Sequence, residues 1–160
     1  MDGNKNVIYA EPDYYLPQII ETPEQIKPPL NSFLSWGVGR MNADKYADYL
    51  KKTGKTKQVT VAVVDTGVDD EHEFLSRRVL DKGYNFVIYN MNTHDDNGHG
   101  TLIPGTLVDC IKELNNIKIL PVKVMDYIVS GTLLNVGNGV AYTIIQMRVL
   151  RGSIVLCVIF

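Results

Sequence analysis

Residues Val59 to Val64 form the longest β-branched stretch in a chain whose apolar positions otherwise come in short patches. A strand of a parallel sheet, buried on both faces, has this near-continuous apolar pattern, and Asp65 closes it. Upstream, residues 1–35 carry Pro12, Pro17, Pro23, Pro28 and Pro29. Each proline removes an amide donor and restricts the residue before it, so this stretch predicts an extended arm laid on the surface. From Asn42, the spacing of Ala43, Tyr46, Ala47 and Leu50 follows a helical period, and Gly54 stops it. A second strand-like piece runs from Gly83 to Tyr89, followed by a polar loop from Asn90 to Gly98. A helix is expected over His99–Leu114, a third strand over Ile117–Met125, and a helix over Thr132–Ile144 through Leu133, Val136, Val140 and Ile144. Strand, strand, helix, strand, helix is the order of an α/β protein, with a mostly parallel sheet, helices on both faces and right-handed crossovers. In such sheets functional groups collect at the carboxyl ends of strands, which is where Asp65 falls.

Composition narrows the partners. The chain has 160 residues, 45% hydrophobic and 21% charged, which suits one globular domain. A net charge of −2 gives no electrostatic reason to expect nucleic acid or an anionic membrane. The apolar run IVLCVIF at 154–160 is far shorter than the ~20 residues of a membrane helix, so no membrane partner is expected. Cys110 and Cys157 are too few for a disulfide framework and lack metal-site spacing; two buried thiols are expected, and they do not fix the compartment. The N-terminus has no apolar core segment, so no secretory signal is expected on this chain.

Two stretches carry candidate chemistry: VTVAVVDTGVD at 59–69 and THDDNGHGT at 93–101. A histidine that takes a hydroxyl proton needs a carboxylate on its other ring nitrogen, to hold the tautomer and offset the imidazolium charge. Asp65 at a strand end suits the carboxylate, and His99 at a helix start suits the base. Gly98 and Gly100 would let backbone approach where a Cβ collides, and Asn97 and Thr101 are candidate caps. Other readings of the same residues remain. Asp-Thr-Gly after an apolar strand also makes a capped turn. His94, Asp95, Asp96 and His99 could form a metal cluster, although that set has no standard spacing. Asp-Thr-Gly also occurs in aspartic proteases, which would require an all-β fold.

VAVVDTGVD, then NGHGT, then GT at 105–106, PVKVM and GVAYTI together resemble the N-terminal part of the subtilisin-like serine protease family. WGVGRMNADKYADYL resembles the first helical region of the mature enzyme, and VIYAEPDYYLP the end of the family's inhibitory prosegment. The resemblance implies a partial subtilisin-like fold, truncated before the nucleophile helix. It implies three regions: 1–35 as prosegment end and arm, 36–145 as the N-terminal part of the peptidase domain, and 146–160 as an atypical tail. It implies serine-type peptide-bond hydrolysis with Asp65 and His99 as catalytic residues, a peptide or protein substrate, and an extracellular or cell-surface setting. The family's nucleophile motif and oxyanion asparagine have no counterpart here. The serines are Ser32, Ser35, Ser76, Ser130 and Ser153, and none lies in the nucleophile setting. An inactive fragment is therefore expected, with a noncatalytic peptide- or protease-binding remnant as the alternative. Leu102, Ile103 and Pro104 replace the family's usual residues after the histidine. Phe74 replaces an acidic ligand and the 110–121 stretch is short, so no family-type calcium site and no cofactor are expected. The tail IQMRVLRGSIVLCVIF leaves the family pattern. A shifted reading frame from Ile145 would permit Ser-Asn-Glu-Gly-Val-Lys and a continued helix; the other reading is a real terminal strand from Ser153 to Ile159.

Overall fold

The computed structural model describes residues 13–16, 36–111, 114–150 and 153–158. In chain order the elements are β1 (Tyr15–Leu16), α1 (Trp36–Arg40), α2 (Ala43–Thr53), β2 (Val59–Asp65), β3 (Tyr84–Asn85), α3 (His99–Ile111), β4 (Ile117–Lys123), β5 (Gly131–Thr132), α4 (Leu133–Leu150) and β6 (Ser153–Val158). Four strands make one parallel sheet in the order β3-β4-β2-β6, and β1 pairs antiparallel with β5. The protein is an α/β fold, and β2 lies at the centre of it.

Strand β2 is apolar on both faces because each face carries a helix. Val61 and Val63 join Val68, Leu75, Ile117, Ile119 and Val108 of α3 in one buried cluster. Ala62 and Val64 point the other way, into a cluster with Leu120, Val122, Val124, Met125 and Val136 of α4. The period of two along β2 sorts these side chains, and the helix on each face explains why Val61 to Val64 are all apolar and buried ahead of Asp65.

A proline in the middle of a central strand would ordinarily cost a ladder bond. Pro121 avoids this by register. Ile119 bonds the 78–80 segment from both its amide and its carbonyl, and the Lys123 carbonyl accepts from Phe86, so alternation turns the Pro121 nitrogen to that same side. There the chain passes between Leu80 and β3 without a ladder partner, and Gly83 comes so close that a Cβ would lie 2.6 Å from the Pro121 carbonyl oxygen.

Several boundaries differ from the sequence expectation. The strand expected over Gly83–Tyr89 shrinks to Tyr84–Asn85. The Asn85 side-chain oxygen accepts from the amides of Val87 (2.9 Å) and Ile88 (3.3 Å), and Asn85 and Asn90 exchange backbone bonds, so the chain turns back on itself. Helix α3 ends at Ile111, and the Leu114 amide bonds the Ile111 carbonyl in a turn. Strand β4 ends at Lys123, two residues before Met125. Helix α4 runs to Leu150, straight through residue 145 where a boundary was expected. The tail then forms β6, paired with β2 from Val59↔Ser153 to Val64↔Val158, as the terminal-strand reading anticipated; Ile159 lies outside the described residues. Of the expected arm at 1–35, only 13–16 are described before α1. Pro104 is the sixth residue of α3, deeper than the first turn, so the Gly100 carbonyl loses its usual amide donor.

Two outcomes follow from this packing. Gly139 lets α4 lie directly on the sheet: a Cβ there would sit 2.6 Å from Val124 Cγ1 and 3.1 Å from Val122 Cγ1, both on stiff β-branched side chains. Gly139→Ala should cost about 1–3 kcal/mol in urea unfolding; an unchanged midpoint would mean that α4 can retreat at no cost. Among the described residues no strand covers the outer edge of β6, where Val155 is 54% and Leu156 42% exposed, and Ile144, Ile145, Met147 and Val149 of α4 are also exposed. An edge without charge or proline invites pairing. Sedimentation velocity should show concentration-dependent association that Val155→Lys reduces, and a monomer at all concentrations would contradict this.

Candidate active site

Asp65 ends β2 with a fully buried side chain, and His99 opens α3. The two meet: His99 Nδ1 lies 2.8 Å from Asp65 Oδ1, with the histidine side chain 35% exposed. The same carboxylate oxygen accepts the Thr66 amide at 2.6 Å. The other oxygen, Oδ2, is buried and has no partner among the described residues. With Oδ1 already accepting an amide, the contact is best satisfied by a proton on Nδ1 donated to a carboxylate, which leaves the lone pair on Nε2.

The start of α3 is held by side chains from three places. A helix leaves its first amides without internal partners, and here each finds an oxygen. The His99 amide donates to Asn97 Oδ1 (3.1 Å), the Gly100 amide to Thr66 Oγ1 (3.0 Å) and the Thr101 amide to Asp95 Oδ2 (2.9 Å). Asp95 is the hub. Its Oδ1 accepts from Thr66 Oγ1 (2.8 Å) and the amides of Asn97 (3.1 Å) and Gly98 (3.0 Å), while its Oδ2 also takes the Thr101 hydroxyl. Burial by itself opposes ionisation of Asp95. The donors from Gly98, Thr101, Asn97 and Thr66 outweigh it and hold the carboxyl below the usual carboxylate range.

Glycines permit the approach in two different ways. A Cβ on Gly100 would lie 2.1 Å from the Gly67 carbonyl oxygen and 3.1 Å from Asp65 Oδ1, so only glycine fits. Gly98 has open space around it and is needed for its φ of +106° instead. Gly67 satisfies both conditions, with φ +117° and a would-be Cβ 2.5 Å from the Thr93 carbonyl. Lys123, the register partner of Asp65 on β4, is buried, and its ammonium bonds the Thr66 carbonyl and, at 2.7 Å, Asp96. It ties the loop before His99 to the turn after Asp65.

Sequence reasoning raised Asp95 only as part of a metal cluster, and it passed over Lys123 as a site residue. The available signal for Asp95 was its place ahead of Asn-Gly-His-Gly-Thr, where an aspartate bonds amides two and three residues on. The cluster of His94, Asp95, Asp96 and His99 does not assemble, because the four turn to different partners: His94 to Asp70 (3.6 Å), Asp95 to the helix start, Asp96 to Lys123 and His99 to Asp65. Asp69, Asp70 and His94 do place one ligand atom each within 4.8 Å of one another at the surface. His72 lies apart and accepts the Phe74 amide at 3.3 Å. Phe74 is exposed against the His72 ring. A recess of about 670 Å³ beside the start of α3 is lined by Asp69, His72, Asp95, Asp96 and Leu102 among others, and neither Asp65 nor His99 borders it. Cys157, on β6, has its thiol pushed up by burial and by the Asp65 carboxylate, which makes it a poor nucleophile.

A peptide edge lies close by. The Asn97 side-chain amide donates to the Tyr127 carbonyl (2.8 Å), fastening the His99 loop to the loop that leads into β5. On β5, Tyr15 and Leu16 pair antiparallel with Thr132 and Gly131. The same segment meets the start of α4, where the Leu133 amide bonds the Tyr14 carbonyl and the Leu134 amide bonds Asp13 Oδ1, both at 2.9 Å.

Comparison with known proteins agrees on one group. A family model described as the subtilase family matches residues 56–151. A cell wall-associated protease of Bacillus subtilis (strain 168) is 39% identical over 151 residues, covering 86% of this chain and 17% of that protein. A thermophilic serine proteinase of Bacillus sp. (strain AK1) is 32% identical over 153 residues, covering 89% and 35% respectively. A crystallised cold-adapted subtilisin-like serine proteinase is 35% identical with a TM-score of 0.49, covering 54% of this chain and 32% of that one. The chain thus spans roughly a sixth to a third of the length of the curated relatives it matches.

The Asp95 hub has a pH signature. Because its folded carboxyl titrates below its unfolded value, its ionised form adds stability that is complete above the unfolded value of about 3.9 and is lost as pH falls through the lower folded value. Asp95→Asn should flatten the fall of urea stability on the acid side of pH 4 and cost about 2–3 kcal/mol near neutrality, where charged hydrogen bonds are lost. Equal acid slopes in the two proteins would exclude the hub role.

Proposed function

Because the chain belongs to the subtilase family, a family of serine proteases, we propose that it supplies the orienting carboxylate and the general base of a subtilisin-type endopeptidase site. The observation that carries this is the 2.8 Å contact between His99 Nδ1 and a buried Asp65 oxygen, made between a strand end and a helix start. In this reading His99 Nε2 accepts the proton of a serine hydroxyl as that oxygen attacks a peptide carbonyl, and later returns it to the leaving amine. Asp65 keeps the proton on Nδ1 and offsets the imidazolium charge as it forms. Asp95, Asn97 and Thr66 hold the helix start so that the ring need not search for its position.

The 160 residues act as the proton-accepting half of that chemistry without cleaving peptides themselves. Among the described residues no serine hydroxyl bonds His99. Ser130 lies in the loop before β5, and its amide bonds the Asp126 side chain. No calcium enters this reading, because Phe74 offers no side-chain oxygen at the position where the family resemblance places an acidic ligand. The substrate is a peptide or protein, with no role for nucleic acid or membrane.

A second reading has its own support. The antiparallel pairing of Tyr15–Leu16 with Gly131–Thr132 puts an extended peptide on the β5 edge, so the chain can serve as a noncatalytic peptide-binding module. The segment in that position is the one that resembles the end of an inhibitory prosegment.

The two readings separate in a chimera that carries residues 36–145 in place of the matching segment of the Bacillus subtilis relative. The chimera should hydrolyse fluorogenic peptides, with His99→Ala lowering kcat by about 10⁶ and Asp65→Asn by about 10⁴. A folded, active chimera indifferent to both substitutions would leave only the peptide-binding reading. The chain alone should give no peptide hydrolysis above its His99→Ala variant, and fluorophosphonate labelling of a serine that depends on His99 would sink the half-site account.

A further inference from the structure

We propose that the Asp65–His99 pair is by itself a catalyst for the hydrolysis of small activated esters, such as aryl esters of short carboxylic acids, with His99 Nε2 as the nucleophile. The proposal rests on the same pair as the peptidase reading but assigns Nε2 a different act, bond formation to carbon rather than acceptance of a serine proton.

Three observations place a reactive nitrogen at the surface. The contact to Asp65 holds the Nδ1 proton, so the Nε2 lone pair is free in the neutral ring. Among the described residues Nε2 has no hydrogen-bond partner, and the side chain is 35% exposed. Glycines stand on both sides of His99, so neither neighbour brings a side chain to screen the ring. The other two imidazoles lack this backing. His72 spends its Nδ1 lone pair on the Phe74 amide, and His94 faces an exposed Asp70 at 3.6 Å. A carboxylate buried behind Nδ1 offsets the positive charge that appears when Nε2 acquires a substituent, and it does so without screening by water.

In the first step the Nε2 lone pair forms a bond to the ester carbonyl carbon, and the C–O bond to the aryloxide breaks, the aryloxide leaving with the electron pair. The acylated ring is cationic, and Asp65 balances it through the Nδ1–H bond. Water then adds to the acyl carbon and gives up a proton to the buffer. The C–N bond breaks with its pair returning to Nε2, releasing the carboxylic acid and restoring the neutral ring. Amides do not enter this cycle, because an amine anion leaves far less readily than an aryloxide. Asp65 is a positioning residue here, since it touches only the ring.

The test uses the whole purified chain and p-nitrophenyl acetate. Per imidazole, the wild type should exceed N-acetylhistidine by about tenfold or more. His99→Ala should remove that excess, and a His72→Ala/His94→Ala double variant should keep it. Asp65→Asn should lower the excess while nitrogen-detected NMR shows His99 losing its single Nδ1–H tautomer in a folded chain. A wild-type rate no higher than that of N-acetylhistidine overturns the proposal, as does an excess that survives His99→Ala. Folding of the variants can be bypassed by treating the wild type with diethyl pyrocarbonate: the excess must fall in step with modification mapped to His99, and a fall that tracks His72 or His94 instead rejects it. Pretreatment with a fluorophosphonate separates this proposal from the peptidase reading. A labelled serine whose blocking abolishes ester hydrolysis refutes the nitrogen mechanism; ester hydrolysis that survives supports it, whatever becomes of peptide cleavage.

Discussion

Backbone approaches backbone where α3 begins, and the geometry of the site depends on that closeness. Gly100 lies so near the Gly67 carbonyl that a single added carbon would overlap it. At this separation the first amides of the helix reach Thr66, Asn97 and Asp95, and the ring of His99 reaches the end of β2. A helix start displaced by one ångström would strand three amide donors and separate the imidazole from its carboxylate together. The costs are coupled, so the arrangement is held as a unit rather than contact by contact.

Charge at the site is arranged around two aspartates with different work. Asp95 spends both oxygens on five donors and is a structural anion at a helix N-terminus, where the dipole also favours it. Asp65 uses one oxygen for Thr66 and His99, and its other, buried oxygen has no partner among the described residues. A buried acceptor without a donor is costly, and such groups concentrate where chemistry needs them. Lys123 spends its positive charge on the Asp96 carboxylate and the Thr66 carbonyl, not on either of these two aspartates.

The periphery is built with less constraint. Helix α4 is anchored to the sheet by Val136, Gly139 and Thr143, whereas its later turns expose Ile144, Ile145, Met147 and Val149. Strand β6 completes the sheet beside β2, yet its outward residues are half bare. Pairing to β2 satisfies the main chain of β6 on one side, and nothing among the described residues satisfies it on the other. The β1–β5 pair, a separate two-stranded sheet, shows that an extended segment can settle on the β5 strand, whose preceding loop is tied to the His99 loop.

The sequence by itself determined the central strand, its terminal aspartate, the helix opening at His99 and the family, because these rest on local signals: an almost unbroken β-branched run, glycines at fixed offsets and a helical period. It also showed that α2 would stop at Gly54, whose φ of +64° only glycine adopts easily. Other features depended on residues distant in the chain. Residues 83–89 have strand-like propensity, but the Asn85 side chain and its exchange with Asn90 turn them into a loop. Pro121 is tolerable in β4 only because the chain opposite it leaves no ladder bond to lose. The hub role of Asp95 and the tie made by Lys123 join segments about thirty to sixty residues apart, and no periodicity in a linear chain encodes which donors will surround a carboxylate. Such roles follow from the packing of α3 against β2, which brings the donors together and excludes the water that would otherwise take their place.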